Sequence, residues 1–444
     1  MTMYLTLLKT LFINQITTVE SLYTLDISRE YIRRNIKRAE ATGHIKIEDV
    51  KYRKGPKFLM EHYVMLTCSG LRHLIEKCKD DDWVKMIDIE SIKNVGVFGS
   101  NNISQQGKHR RAQRSEAKIV CESSGADTSL LIHFLKDSCV YDPDTYAQSF
   151  LINEDEREDF NASGFVKLIY AALRFEEDIL RTQIYRYTFK DELAYDYIRY
   201  TDIRKMVKVL TDKSEVHGSE TIANAKDFSP CKMTGLIDSY YTSLVVYDPH
   251  EVGFSFSTFS SKAEKTLVDL WKRKYSLTEL RLAYKQSGSV LMVKNASHLK
   301  NILINEKRNI RYLEMYSHMY VIPKNFPGTG FLRWIMLSDR ARMTEKIIQD
   351  ILSRGQFDVT EKLNSDVFPL KTSDGSKLAL GIFLDLHDIN LLDSQIKHGI
   401  ANFRIICFEW QVDYYKMLYP DIETVVCDDY FLMTNSADED RGCV

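Results

Sequence analysis

Between Ser28 and Leu66 the apolar spacing switches from helical to alternating, and this switch constrains the fold more than any other feature of the chain. Ser28 can cap a helix in which Tyr31, Ile32, Asn35 and Ile36 follow at helical intervals. Gly43 supplies a stop after Ala41-Thr42, so the spacing predicts a helix of about four turns. His44 to Arg53 then alternates apolar and polar residues, Lys54-Gly55-Pro56-Lys57 reads as a turn, and Phe58 to Leu66 as the returning strand. Upstream, Leu5, Leu8, Leu11 and Phe12 recur at helical spacing, and a second short helix is expected from Thr17 to Tyr23. Three helices and a hairpin is the order of a winged helix-turn-helix. A further helix, Leu71 to Cys78, is expected to pack on that module or to serve in dimerisation.

Charge is distributed unevenly. The 444-residue chain carries a net charge of −2, which gives no global attraction to nucleic acid. Residues 1 to 79 nevertheless hold 14 Lys/Arg against 8 Asp/Glu, or +6, leaving −8 for the remainder. The predicted helix from Ser28 aligns Arg29, Arg33 and Lys37 by i, i+4 spacing with Arg34 and Arg38 beside them, while Ile32 and Ile36 turn toward the core. A helix entering the major groove reads base edges with its N-terminal half. Ser28, Arg29 and Arg33 stand nearest that end, with Arg29 and Arg33 the candidates for base contact, and Arg34, Lys37 and Arg38 suit phosphates. Lys51, Arg53, Lys54 and Lys57 surround the hairpin tip, where a basic wing reaches the DNA backbone or minor groove. The competing reading is a module for protein contacts whose basic face is merely solvated.

Length and composition fit two or three soluble domains, at about 150 residues each, with enough apolar material to bury. The expected division is a DNA-binding module at 1–79, a linker and basic helix at 80–127, an α/β domain at 128–435 and a disordered tail at 436–444. Lys79-Asp80-Asp81-Asp82 marks the first boundary by its charge. The run Lys108 to Arg114 begins a cationic helix that either adds a DNA contact or meets acidic groups of the same protein. From Leu244 onward strands and helices alternate, which indicates an α/β layer. In that stretch Tyr316 to Ile322 and Phe331 to Leu337 are expected as paired strands around a turn at Pro327-Gly328-Thr329-Gly330, and Leu378 to Leu384 as another strand. The fold class expected is thus α+β / α/β, multidomain.

Phosphate-binding loop, dinucleotide-binding, zinc-protease and serine-hydrolase motifs are absent, and no cofactor or metal is implied. A binding protein is favoured over an enzyme. Asp142-Pro143-Asp144, Asp385 with Asp388, and Glu409 with Gln411 lie at strand ends where a metal-dependent nuclease or nicking factor would want carboxylates, though such residues more often satisfy their own turns. An aromatic-rich stretch from Phe165 to Tyr200 leaves room for a ligand-responsive transcriptional regulator. The eight cysteines show no Cys-x-x-Cys and read as reduced thiols, and no stretch approaches the roughly 18 apolar residues of a membrane span. A signal peptide is not expected either, because Lys9 and Asn14 interrupt the opening apolar stretch. A cytoplasmic location follows as an expectation.

Residues 4 to 78, with Lys232-Met233-Thr234-Gly235-Leu236-Ile237 and Cys407-Phe408-Glu409-Trp410-Gln411, resemble the replication-relaxation family of plasmids and integrative conjugative elements. That resemblance implies a double-stranded DNA-binding protein of a mobile element, acting in replication, relaxation or their regulation. It implies replication or transfer proteins as partners and supplies no catalytic residue. A homodimer on a palindromic site is a further expectation of the winged-helix reading.

Overall fold

The computed structural model describes residues 2–79, 104–126, 195–199, 233–249, 286–306, 318–398 and 402–427, apart from 15, 27, 55, 56, 240, 241, 356, 364 and 366. The chain divides into two compact units, Met1–Ile237 with Ser261–Leu270, and Asp238–Ser260 with Trp271–Val444. Helices and mixed sheets make the class α+β.

The first unit opens with α1 (Met3–Asn14), β1 (Ile16–Thr18), α2 (Val19–Leu22) with a 3-10 turn at Tyr23–Leu25, α3 (Arg29–Ala41), β2 (Ile45–Lys54), β3 (Lys57–Leu66) and α4 (Cys68–Lys77). Its sheet has the order β1-β3-β2, antiparallel throughout. Strand periodicity gives that sheet two different faces. Ile45, Ile47, Val64 and Leu66 join Leu7, Leu8, Leu11, Ile32, Ile36 and Leu71 of α1, α3 and α4 in one core. Ile16, Val50, Tyr63 and Met65 point the other way and enclose Ala112 of α5 (Gln105–Ser123). The sheet is therefore covered on both sides.

Local chemistry sets the limits of α3. The Ser28 hydroxyl accepts from the Tyr31 N–H at the first turn, and Gly43, at φ +71°, closes the last. There the Gly43 N–H donates to the Glu40 carbonyl and the His44 N–H to the Ala39 carbonyl, a glycine-dependent stop that satisfies the end of the helix. Register from Ile45↔Leu66 to Lys54↔Lys57 carries the hairpin ten residues out on each strand.

The short helix expected from Thr17 to Tyr23 begins later than its pattern suggested. Ile16, Thr17 and Thr18, β-branched, pair with Met65, Val64 and Tyr63, and the helix starts only at Val19 with the Thr18 hydroxyl capping the Ser21 N–H. Strand partners 45 to 49 residues downstream supply what the local pattern lacks.

Strands β4 (Tyr195–Arg199) and β5 (Met233–Ser239) come next in the chain. In the second unit β6 (Thr242–Tyr247), β7 (Gln286–Val293) and β8 (His318–Pro323) lie parallel, with α6 (Ala296–Glu306) after β7. Two helices follow, α7 (Phe326–Met336) and α8 (Arg340–Ser353), and then a second sheet. It comprises β9 (Val359–Lys362), β10 (Leu370–Thr372), β11 (Lys377–Leu380), β12 (Phe403–Phe408) and β13 (Thr424–Cys427), in the order β13-β12-β11-β10-β9. The β9-β10-β11 meander is antiparallel, whereas β11, β12 and β13 run parallel, with α9 (Leu386–Lys397) and α10 (Val412–Leu418) in the crossovers.

Here Phe331–Leu337 is no strand. Asn325 caps the Gly328 N–H, Pro327 sits in the first turn where its missing N–H costs nothing, and the segment is helical to Met336. Because Phe331, Leu332, Trp334, Ile335 and Met336 are all buried, the run lacks the polar face that marks a surface helix. The expected turn glycine has a packing role instead: a Cβ on Gly328 would stand 1.9 Å from the Pro323 carbonyl oxygen. The strand expected at Leu378–Leu384 stops at Leu380, and Gly381–Phe383 forms a 3-10 turn. Leu384 then takes the left-handed conformation at φ 42°. Its carbonyl accepts from the Val321 N–H of β8, a fixed backbone contact that holds this unusual geometry.

Candidate nucleic-acid interface

The outer face of α3 carries the predicted cations. Ile32, Asn35, Ile36 and Ala39 are buried, whereas Arg29, Arg33, Arg34, Lys37 and Arg38 are exposed. Carboxylates on the same surface organise three of them. Arg29 Nη2 meets Glu20 at 3.2 Å, Arg33 Nε meets Glu30 Oε2 at 2.8 Å, and Arg34 Nε meets Glu30 Oε1 at 3.3 Å. The three arginine side chains remain 70%, 54% and 75% exposed, so water screens these pairs and they add little to stability. The Arg33 hydrogen bond and charge, with those of Arg34, hold the Glu30 carboxyl below its ordinary range.

Arg38 lies over the Tyr4 ring at 4.8 Å. The Tyr4 hydroxyl reaches His44 Nδ1 at 2.6 Å and Thr42 Oγ1 at 3.1 Å, tying the end of α3 to α1. Burial, helped by His73 stacked at 4.5 Å, pushes the His44 imidazole below its ordinary pKa. Ser28 serves as the cap of α3, its own N–H donating to Asp26 at 2.8 Å. Lys51 is exposed on β2 opposite Met60, itself 54% exposed. The side chains of Arg53, Lys54 and Lys57 lie outside the described residues, although their backbones close the hairpin.

The second cationic segment behaves differently. Lys108, 11% exposed, donates to Glu48 on β2, and this bond holds the Glu48 carboxyl below its ordinary range. His109 is buried against Tyr63 and Glu61 of β3. Lys118 is fully buried, and Thr10 of α1 donates to Glu122 at 3.5 Å. Lys108 and His109 thus meet acidic partners within the same protein, whereas Arg111 is exposed. Arg110 and Arg114 have side chains outside the described residues.

Asp385 and Asp388 converge on one cation rather than on an open site. Arg340 reaches Asp385 at 2.7 Å and Asp388 at 2.9 Å, and stacks 4.1 Å from the Phe383 ring centre. Asp385, fully buried, also takes His318 Nδ1 at 3.0 Å and the N–H groups of Met319 and His387, capping α9. Burial pushes its carboxyl up, but these hydrogen bonds and the Arg340 charge outweigh burial and hold it below the usual carboxylate range. The side chain joins β8, α8 and α9. Glu409 and Gln411 occupy a 3-10 turn, where Gln411 is spent on the backbone of Phe408 and Ile382. Among the described residues no group of three or more His, Cys, Asp or Glu is placed to hold a metal ion. Asp142-Pro143-Asp144 and the aromatic stretch from Phe165 up to residue 194 lie outside the described residues, as do the linker at 80–103 and the tail at 436–444.

The carboxylates of Glu20 and Glu30 are the features that reading the cations alone misses. Glu30 was open to detection, since it stands three and four residues before Arg33 and Arg34. Glu20 required the fold. Burial pushes the Cys407 thiol up to about 12, which disfavours the nucleophilic thiolate. No helix among the described residues is long and apolar enough to cross a membrane. No family model, curated protein or solved structure matches this chain.

Proposed function

We propose that the N-terminal unit is a winged helix that binds double-stranded DNA through α3 and the β2-β3 hairpin. One observation carries the reading: α3 buries Ile32, Asn35, Ile36 and Ala39 and exposes five cations on its outer side. The order α1-β1-α2-α3-β2-β3, with β3 between β1 and β2, supports it, because in such a module α3 is the groove-entering helix and the hairpin its wing. In this reading Arg29 and Arg33 meet base edges, Arg34, Lys37 and Arg38 meet phosphates, and Lys51, Arg53, Lys54 and Lys57 flank the backbone. The wider role is that of a DNA-binding protein of a mobile element, in replication, relaxation or their regulation, with the second unit recruiting a partner or a second copy.

The test is mobility shift of the full-length protein on duplex DNA at moderate salt. Replacing Arg33 and Lys37 together by Ala is expected to weaken binding at least tenfold while leaving thermal unfolding unchanged. Undiminished affinity would defeat the reading.

A further inference from the structure

Resting on the DNA-binding reading, we infer that Glu30 is a specificity-determining positioning residue, which holds Arg33 ready for a base edge and Arg34 for the phosphate beside it, and suppresses non-specific attachment to phosphate. Glu30 is the second residue of α3, at the end that enters the groove in the proposed docking. Its two oxygens are divided between two arginines, Oε2 with Arg33 at 2.8 Å and Oε1 with Arg34 at 3.3 Å. Both contacts use Nε. A guanidinium has five donors, so each keeps its terminal Nη pair, and an arginine fork is the group that meets guanine O6 and N7. A carboxylate holding the Nε side therefore fixes the direction of the arginine without consuming its reading edge.

The same carboxylate opposes binding that carries no sequence information. Non-specific attachment rests on neutralising phosphates, and Glu30 places a negative charge among the five cations of α3. Glu20 does likewise for Arg29 at 3.2 Å. A duplex with a suitable base at the Arg33 fork compensates for that repulsion, and an arbitrary duplex does not. Discrimination is a difference between two affinities, and lowering the unwanted one raises it.

The experiment is selection of bound duplexes from a random library by the full-length protein, followed by titration of the selected and a scrambled duplex with wild type, Glu30→Ala and Glu30→Gln. Glu30 is half exposed, so both variants should unfold at the wild-type temperature, which is measured in parallel. For Glu30→Ala the ratio of selected to scrambled affinity is expected to fall about tenfold, largely because scrambled binding strengthens. Glu30→Gln keeps the length but has a single acceptor, and should fall between the two. An unchanged ratio in both variants, with a wild type that does select a site, overturns this inference and leaves DNA binding standing. A wild-type protein that retains no duplex overturns both.

Discussion

Two helices of the first unit carry runs of arginine and lysine, and the sheet between them treats the two oppositely. Toward α3 it presents Ile45, Ile47, Val64 and Leu66, which take up the apolar stripe of that helix and leave its cations outside. Toward α5 it presents Glu48 and Glu61 beside Val50, Tyr63 and Met65, and there Lys108 and His109 are drawn in. A cationic run is therefore not evidence of a nucleic-acid surface until its partners are known. What separates the helices is the strand face each one meets, set by the alternation of β2 and β3.

The contrast breaks most visibly at Ala112. Ala112→Asp would place an unpaired carboxylate among Ile16, Val50, Tyr63 and Met65, and is expected to cost about 3 kcal/mol or more in urea unfolding. Lys37→Ala on α3 should stay within about 0.5 kcal/mol. A neutral Ala112→Asp would mean that α5 does not cover the sheet.

A smaller effect is expected at Lys108. Lys108→Met leaves the largely buried Glu48 without its main partner and should cost about 1–3 kcal/mol at neutral pH, with duplex affinity unaffected. The acid limb separates this pair from general damage. Because the folded Glu48 carboxyl titrates below its unfolded value of about 4.3, its contribution is complete above that pH and disappears as pH falls through the folded value. The gap between wild type and Lys108→Met should accordingly close on acidification. A gap that persists at low pH would assign the loss to packing.

At the start of α3, Ser28→Ala removes the cap on the Tyr31 N–H and is expected to cost about 1 kcal/mol. If both the stability and the affinity of the protein ignore it, this helix end is less ordered than its cap geometry implies.

Where structure is local, the residues announce it. Ser28, the spacing Ile32–Ile36 and Gly43 delimit α3, and alternation from Ile45 to Leu66 delimits the hairpin, because caps and periodicity act within a few residues. Strand β1 was not legible. Three residues acquire strand character only from partners at Tyr63 to Met65. Helix α7 reads as a strand in the sequence because Phe331 to Met336 is an almost unbroken buried apolar run, interrupted only by Arg333, with no polar stripe to betray its period. At the site the cations were visible in the sequence and their fates were not: Lys108 and Lys37 look alike until β2 brings Glu48 to one of them. The same holds for Asp385, whose neighbours His318 and Arg340 lie 67 and 45 residues away.

On the proposed reading the charge on α3, and not that of Lys108 on α5, faces DNA. Salt dependence of duplex binding measures it directly, since each phosphate contact contributes about −0.9 to the slope of log affinity against log salt. Relative to wild type, Arg33→Ala with Lys37→Ala should flatten that slope by about one to two, while Lys108→Met leaves it unchanged. A slope indifferent to the α3 pair, or one flattened by Lys108→Met, would contradict DNA binding through α3.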